Sequence, residues 1–125
     1  MKVKEIMNKA ITEDNDIKVR DAAKMMSEKN IGSLILMNND AIVGIVTDTD
    51  ILRNVNKLDT EISKIMSKKV MTIEENAGID DAARIMKEKK IKRLPVVKKG
   101  KLTGIVTATD IIANSEELNE RFFFD

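Results

Sequence analysis

Two four-residue runs hold the side chains best suited to chemistry. Thr47-Asp48-Thr49-Asp50 and Thr107-Ala108-Thr109-Asp110 each set a hydroxyl three residues ahead of a carboxylate, and each follows an apolar β-branched pair, Ile45-Val46 or Ile105-Val106. One reading needs no ligand. A threonine at the N-cap of a helix accepts the N–H of the residue three positions on, and an acid there returns a bond to the cap, worth roughly 1 kcal/mol. The other reading adds function. A helix start offers N–H groups and positive potential to a phosphate. A carboxylate beside it can accept hydrogen bonds from two ribose hydroxyls, as the acidic residue of dinucleotide folds does. The two readings are compatible, because one hydroxyl can both cap a helix and touch a phosphate.

Other chemistry is excluded by what is missing. The 125 residues include no cysteine and no histidine. Disulfides, thiolate nucleophiles, histidine general bases and histidine–zinc sites therefore fall away. An enzyme would have to rest on aspartate, lysine or a metal, and no converging set of these stands out, so neither catalytic residues nor a protein-held metal are expected. Hydrophobic residues make up 42% and charged residues 34%, the balance of a soluble globular chain. No apolar run nears the roughly 18–20 residues of a membrane span. The polar start Met1-Lys2-Val3-Lys4-Glu5 leads into no signal-peptide core. With the lack of cysteine, this fits a cytoplasmic protein and no membrane partner.

The elements that must position these residues come in duplicate. At an offset of 60, Asp21-Ala22-Ala23 falls on Asp81-Ala82-Ala83, Met26 on Met86, Gly44-Ile45-Val46-Thr47 on Gly104-Ile105-Val106-Thr107, and Thr49-Asp50-Ile51 on Thr109-Asp110-Ile111. Upstream, Ile6-Met7 falls on Ile65-Met66 at an offset of 59. Each copy is too small to bury a good core alone, so two copies packed with pseudo-twofold symmetry are expected. Val19, Ala22, Ala23 and Met26 have helical spacing, as do Ile79, Ala82, Ala83 and Met86. Apolar runs at 33–37 and 94–97, tight turns at 38–40 and 98–100, and return strands at 41–46 and 101–106 form hairpins. Pro95 points to an edge or first-residue position in its strand. Extended pieces at 10–12 and 70–72 precede each first helix, and a second helix opens near Thr47 or Thr107. The fold class is thus α/β, of the α+β kind, with two β-α-β-β-α units. The first unit spans 1–55, a polar connector 56–61, and the second unit with its tail 62–125.

This pattern resembles the CBS domain, named after cystathionine β-synthase, from about Val3 to Ala113. Three features carry the resemblance: Ile6-Met7 with Ile11-Thr12 and its copy Ile65-Met66 with Met71-Thr72, the helix motif Asp-Ala-Ala-x-x-Met, and the junction Gly44-Ile45-Val46-Thr47-Asp48-Thr49-Asp50 repeated at 104–110. Two such units in tandem are similar to a Bateman module. That family forms a clefted pair that often dimerises, commonly binds adenine nucleotides or adenosyl compounds, and usually regulates an attached or partner protein. No room for an attached catalytic domain exists in 125 residues, so the chain resembles a stand-alone pair.

The resemblance implies roles residue by residue. Thr47, Asp50, Thr107 and Asp110 match positions that contact phosphate and ribose. The backbone of Ile11-Thr12, and of Val70-Met71-Thr72, matches the segment that reads the adenine edge. Met71 and Val96 are the apolar side chains suited to sandwich the ring, although simple core packing would use them equally well. Lys92-Arg93-Leu94-Pro95-Val96 differs from its counterpart Gly32-Ser33-Leu34-Ile35-Leu36 by two cations, which can pair with phosphate oxygens. In the first copy Arg53 could take that task; the matching residue of the second is Ala113. The second cleft, with Arg93, is therefore preferred for a charged nucleotide. Asp48 against Ala108 either weakens polyphosphate binding in the first copy or holds an accompanying magnesium ion. Gly44 and Gly104, inside return strands, mark close approach by helix packing or by a ligand.

Two features lie apart. Residues 84–101 hold nine basic residues and one acid, which admits salt-sensitive nucleic-acid binding. That stretch lacks aromatic side chains for stacking and matches no nucleic-acid motif. Phe122-Phe123-Phe124 suggests an intermolecular contact at the C-terminus. The resulting expectation is a homodimeric sensor of an adenosine nucleotide (AMP or ATP, then ADP, ahead of S-adenosylmethionine and NAD) that signals to a partner protein by a conformational change. The alternative is an interaction protein whose clefts stay empty.

Overall fold

The computed structural model describes residues 1–115. The first repeat runs β1 (Thr12–Glu13), α1 (Val19–Lys29), β2 (Ser33–Asn38), β3 (Ala41–Thr47) and α2 (Asp48–Arg53). The second runs β4 (Ile73–Glu74), α3 (Ile79–Lys89), β5 (Arg93–Lys98), β6 (Lys101–Thr107) and α4 (Ala108–Ala113). This is the expected β-α-β-β-α order, twice. Each repeat is led in by a single 3-10 turn, Val3–Glu5 or Ile62–Lys64, which the apolar spacing does not reveal. Among the described residues no helix is long and apolar enough to cross a membrane. The Phe122–Phe124 cluster lies outside the described residues.

The compact units do not coincide with the sequence repeats. One unit is Ile11–Val70; the other joins Met1–Ala10 to the described chain from Met71 to Ser115. The expected division at 1–55 and 62–125 follows the repeats, and the compact units cut across it. The lead-in segment of each repeat is built into the unit that holds the other repeat's sheet. The reason is local. Val3 donates to the Ala77 carbonyl at 2.8 Å and Lys4 to the Glu75 carbonyl at 2.9 Å. The Val3 side chain is then sealed into a core with Ile73, Ala82, Met86, Leu94, Val96 and Val106. In the unit Ile11–Val70, Ile62 donates to the Ile17 carbonyl at 2.8 Å and joins Val19, Ala22, Met26, Leu34, Leu36 and Val46. Burying such a branched side chain is worth roughly 1.5–3 kcal/mol, which is enough to hold a short segment in place.

Each sheet has three strands, ordered β1-β2-β3 and β4-β5-β6. The outer pair is parallel and only two residues long, Thr12↔Ile35 and Glu13↔Leu36, or Ile73↔Val96 and Glu74↔Val97. The hairpin pair is antiparallel, with a register shift after Leu36 and Val96. Pro95 therefore sits third in a central strand, not at an edge. The short parallel ladder makes this possible. In the first unit Ile35 donates to the Ile11 carbonyl at 3.1 Å, just before the ladder begins. Pro95 is the counterpart of Ile35 and has no N–H for the matching Met71 carbonyl, so one marginal bond is all that proline forfeits.

The two long helices bury one stripe each, Val19, Ala22 and Met26 in α1, and Ala82 and Met86 in α3. Both end in a left-handed residue, Asn30 (φ 52) and Lys90 (φ 56). Asparagine tolerates that conformation and lysine does so at a cost.

Gly44 and Gly104 answer to packing. A Cβ on Gly104 would lie 2.7 Å from Met7 Sδ and 2.8 Å from the Asn8 carbonyl oxygen. A Cβ on Gly44 would overlap the Met66 side chain. In each unit the lead-in methionine thus lies on the return strand where a side chain is missing.

Candidate ligand-binding site

Thr47 and Thr107 are the last residues of β3 and β6 and the N-caps of α2 and α4. Both capping boxes are closed. The Asp50 N–H reaches Thr47 Oγ1 at 3.4 Å, and Asp50 Oδ2 accepts the Thr47 N–H at 2.9 Å and its hydroxyl at 3.1 Å. At the second junction the matching distances are 3.2, 2.9 and 2.8 Å. The ligand-free reading of the motif is therefore satisfied in full, and the carboxylates are already oriented. Asn54 and Asn114 fasten the far ends of these one-and-a-half-turn helices, each donating through Nδ2 to the Asp50 or Asp110 carbonyl at 2.7 Å. Those carbonyls would otherwise lack helical partners.

The helix starts differ in what stays open. The first helical N–H is bonded in both: Asp48 donates to the Gly32 carbonyl at 3.0 Å and Ala108 to the Lys92 carbonyl at 2.8 Å. The next is taken in α2, where Thr49 donates to Asp48 Oδ1 at 2.8 Å. Ala108 has no acceptor to offer Thr109, whose N–H has no partner among the described residues. Asp48 is thus placed as a cap on its own helix start.

Strand register brings the distinguishing cation to the second site. Arg93 is the cross-strand partner of Thr107, as Ser33 is of Thr47. Directly opposed residues share a face of the sheet, so the half-buried Arg93 stands beside the Thr107–Asp110 cap. Arg53 is exposed at the last turn of α2. Lys92 is exposed one residue before β5.

The expected apolar contacts need correction. Leu94, Pro95 and Val96 are buried core side chains, Val96 with 0% exposure, so Val96 offers no surface to a ring. Met71, at 40% exposure, is the apolar side chain that can. Val70, Met71 and Thr72 precede β4 rather than forming it, as Ile11 precedes β1, while Thr12 is its first residue. Among the described residues no group of three or more histidine, cysteine, aspartate or glutamate side chains could hold a metal ion.

One residue at the site was not anticipated. Asn8 donates through Nδ2 to Asp110 Oδ1 at 3.1 Å and to Oδ2 at 3.0 Å. The signal in the sequence is faint: at the offset of 59 that aligns Met7 with Met66, Asn8 falls on Ser67.

The fold agrees with that of known proteins. The CBS domain family model matches residues 3–57 and 62–117. An uncharacterized protein of Methanocaldococcus jannaschii, MJ0653, is 43% identical over 124 residues, covering 94% of this chain and 64% of that protein. Uncharacterized protein YlbB of Bacillus subtilis is 38% identical over 109 residues, 82% of this chain and 73% of that one. The chain spans less than two thirds of the length of MJ0653 and of several other relatives. Among solved structures, the CBS domain pair of protein MJ0100, in complex with 5-methylthioadenosine and S-adenosyl-L-methionine, superposes with a TM-score of 0.83 at 33% identity, covering 89% of this chain and 92% of that one.

Proposed function

Because the chain belongs to the CBS domain family and carries that domain twice, we propose that it is a regulatory module, not an enzyme, that binds an adenosine nucleotide and passes the signal to a partner protein. The observation that carries the reading is the Arg93–Thr107–Asp110 arrangement, in which a cation, a Thr109 N–H with no partner among the described residues and a pre-oriented carboxylate share one corner of a unit. A carboxylate suits a ribose diol and a guanidinium suits a phosphate. The Met71 carbonyl and Thr72 backbone supply edge contacts for the base, with Val70 beside them, and the Met71 side chain covers one ring face. Thr47, Asp50 and Arg53, with Ile11 and Thr12, form the second, weaker site. AMP and ATP are the leading ligands, ADP next, and magnesium would enter with a polyphosphate.

The ligands bound to the MJ0100 pair favour a second reading. Both contain adenosine and neither carries a phosphate, so an adenosyl compound would use Asp110 and Met71 without Arg93. Thermal melting of ligand-free protein with AMP, ADP, ATP, S-adenosylmethionine and 5-methylthioadenosine separates the two. A ligand at about 100 times its Kd adds roughly 2.7 kcal/mol. An AMP shift that Arg93→Ala and Asp110→Ala abolish supports the nucleotide. A shift by the adenosyl compounds that survives Arg93→Ala supports the second reading. No shift with any ligand overturns both.

We also propose a homodimer. Leu52, Val55 and Ile112 expose 70%, 58% and 54% of their surface, apolar area that an interface between copies would cover. Sedimentation of Leu52→Asp as a monomer beside a dimeric wild type would support this; a monomeric wild type would overturn it.

A further inference from the structure

We propose that Asn8 is a built-in competitor for the Asp110 carboxylate, so that a ligand's ribose reaches Asp110 only by displacing it. The proposal rests on the reading of Asp110 as a ribose-binding group. An ionised carboxylate has about four acceptor positions. Asp50 uses two of them, both on Oδ2 and both for Thr47, which leaves Oδ1 open among the described residues. Asp110 spends the same two on Thr107 and then receives the Asn8 amide across both oxygens. The edge that a diol would grip in bidentate fashion is thereby occupied.

Asn8 is held where it can do this. Its N–H donates to the Ile105 carbonyl at 2.8 Å and its carbonyl accepts the Ile105 N–H at 2.9 Å. Only a glycine at 104 lets that backbone come so close. Ser67 makes the same reciprocal pair with Ile45, at 2.9 and 3.0 Å. Its shorter side chain makes no bond to Asp50 among the described residues. The two repeats thus use the same backbone anchor with different side chains, one long enough to reach the carboxylate. The Asn8 amide is also solvent-exposed, so water can receive it when it leaves. Such a contact is a reversible competitor rather than a structural necessity. Its displacement moves only the side chain, because the main-chain pair with Ile105 stays in place.

A closed competitor lowers apparent affinity by the fraction of time the carboxylate is free. A single net hydrogen bond corresponds to roughly a two- to tenfold change. The test is calorimetric titration with AMP in an Asp50→Ala background, so that only the Asp110 site is read, comparing Asn8 with Asn8→Ser, which copies Ser67, and with Asn8→Ala. Both variants should bind AMP about two- to tenfold more tightly. In the wild type, the Asn8 side-chain amide resonances should move on AMP addition. Both variants keep the main-chain pair with Ile105, and their melting curves establish that they are folded. Unchanged AMP affinity overturns the competitor, and so does weaker binding, which would make Asn8 a ligand contact. If neither the wild type nor any variant binds AMP, the nucleotide reading falls and the competitor with it. Binding without tightening removes the competitor alone.

Discussion

Replacing Gly104 with alanine should loosen the second unit more than the same change at Gly44 loosens the first. The new methyl at 104 would meet Met7 Sδ at 2.7 Å and the Asn8 carbonyl oxygen at 2.8 Å, whereas at 44 its three nearest neighbours all belong to the Met66 side chain. A methionine side chain has three torsions with which to step aside. The Asn8 carbonyl is backbone, and Asn8 is pinned by two main-chain bonds to Ile105, one through that carbonyl and one through its N–H. Overpacking costs about 1–3 kcal/mol, and weakening the Asn8–Ile105 pair adds about 1 kcal/mol. Gly104→Ala should therefore lose about 2–4 kcal/mol, a fall in Tm of about 6–12 °C for a chain of this size. Gly44→Ala should lose about 1 kcal/mol or less, because alanine also stiffens the unfolded chain. A double-mutant cycle sharpens the contrast: Met66→Ala should relieve most of the Gly44→Ala cost, while Met7→Ala should leave most of the Gly104→Ala cost in place. Hydrogen exchange at the Ile105 amide should quicken in Gly104→Ala, and at the Ile45 amide it should change little in Gly44→Ala. Equal Tm losses at the two glycines, or an unchanged Ile105 amide, would refute the backbone contact.

Other substitutions test separate parts of the structure. Lys90→Gly relieves a lysine held at φ 56 and should raise stability by about 0.5–1 kcal/mol in urea unfolding. Asn30→Gly, at a position asparagine already tolerates, should change it by less. Thr47→Ala and Thr107→Ala each remove a closed cap and should cost about 1 kcal/mol, read as a lower urea midpoint. Leu94→Ala empties a fully buried position and should cost about 2–5 kcal/mol. Pro95→Ile restores the donor that Ile35 has, and the new amide should show protection from exchange if the Met71 carbonyl accepts it.

Much of this was legible because the chain states its local design twice. The helical spacing of Ala22 and Met26, repeated in Ala82 and Met86, located α1 and α3, and the hairpins and both capping boxes followed from short-range pattern. What escaped was long-range. Nothing in the run Val3 to Met7 says which of two similar sheets it will cover, since Val3 and Ile62 suit either core by chemistry alone. Pro95 misled because the rule for proline in sheets assumes a long ladder on both sides, and here one side is two residues long. Val96 looked like a ring contact for its apolar character, but alternation along β5 could not tell a core face from a ligand face when 94–97 are all buried. Asn8 was hidden because its partner Asp110 is 102 positions away. The candidate residues Thr107 and Asp110 came from the family resemblance, Arg93 from that resemblance and the comparison of repeats, and strand register places Arg93 opposite Thr107.

The traded lead-in segments make the two repeats mutually dependent. A chain cut between residues 57 and 62 would yield one piece whose sheet lacks Ile62 and Met66, and another lacking Val3 and Met7. Each piece would carry the plug that the other needs. Mixed together, they should reassemble by exchange; alone, each should find its missing part only in another molecule of its own kind, and its folding should depend on concentration. A single ancestral repeat with this design would have been complete only as a swapped pair. Joining two copies end to end turns that second-order association into a property of one chain, after which the copies are free to diverge, as Asn8 and Ser67 have.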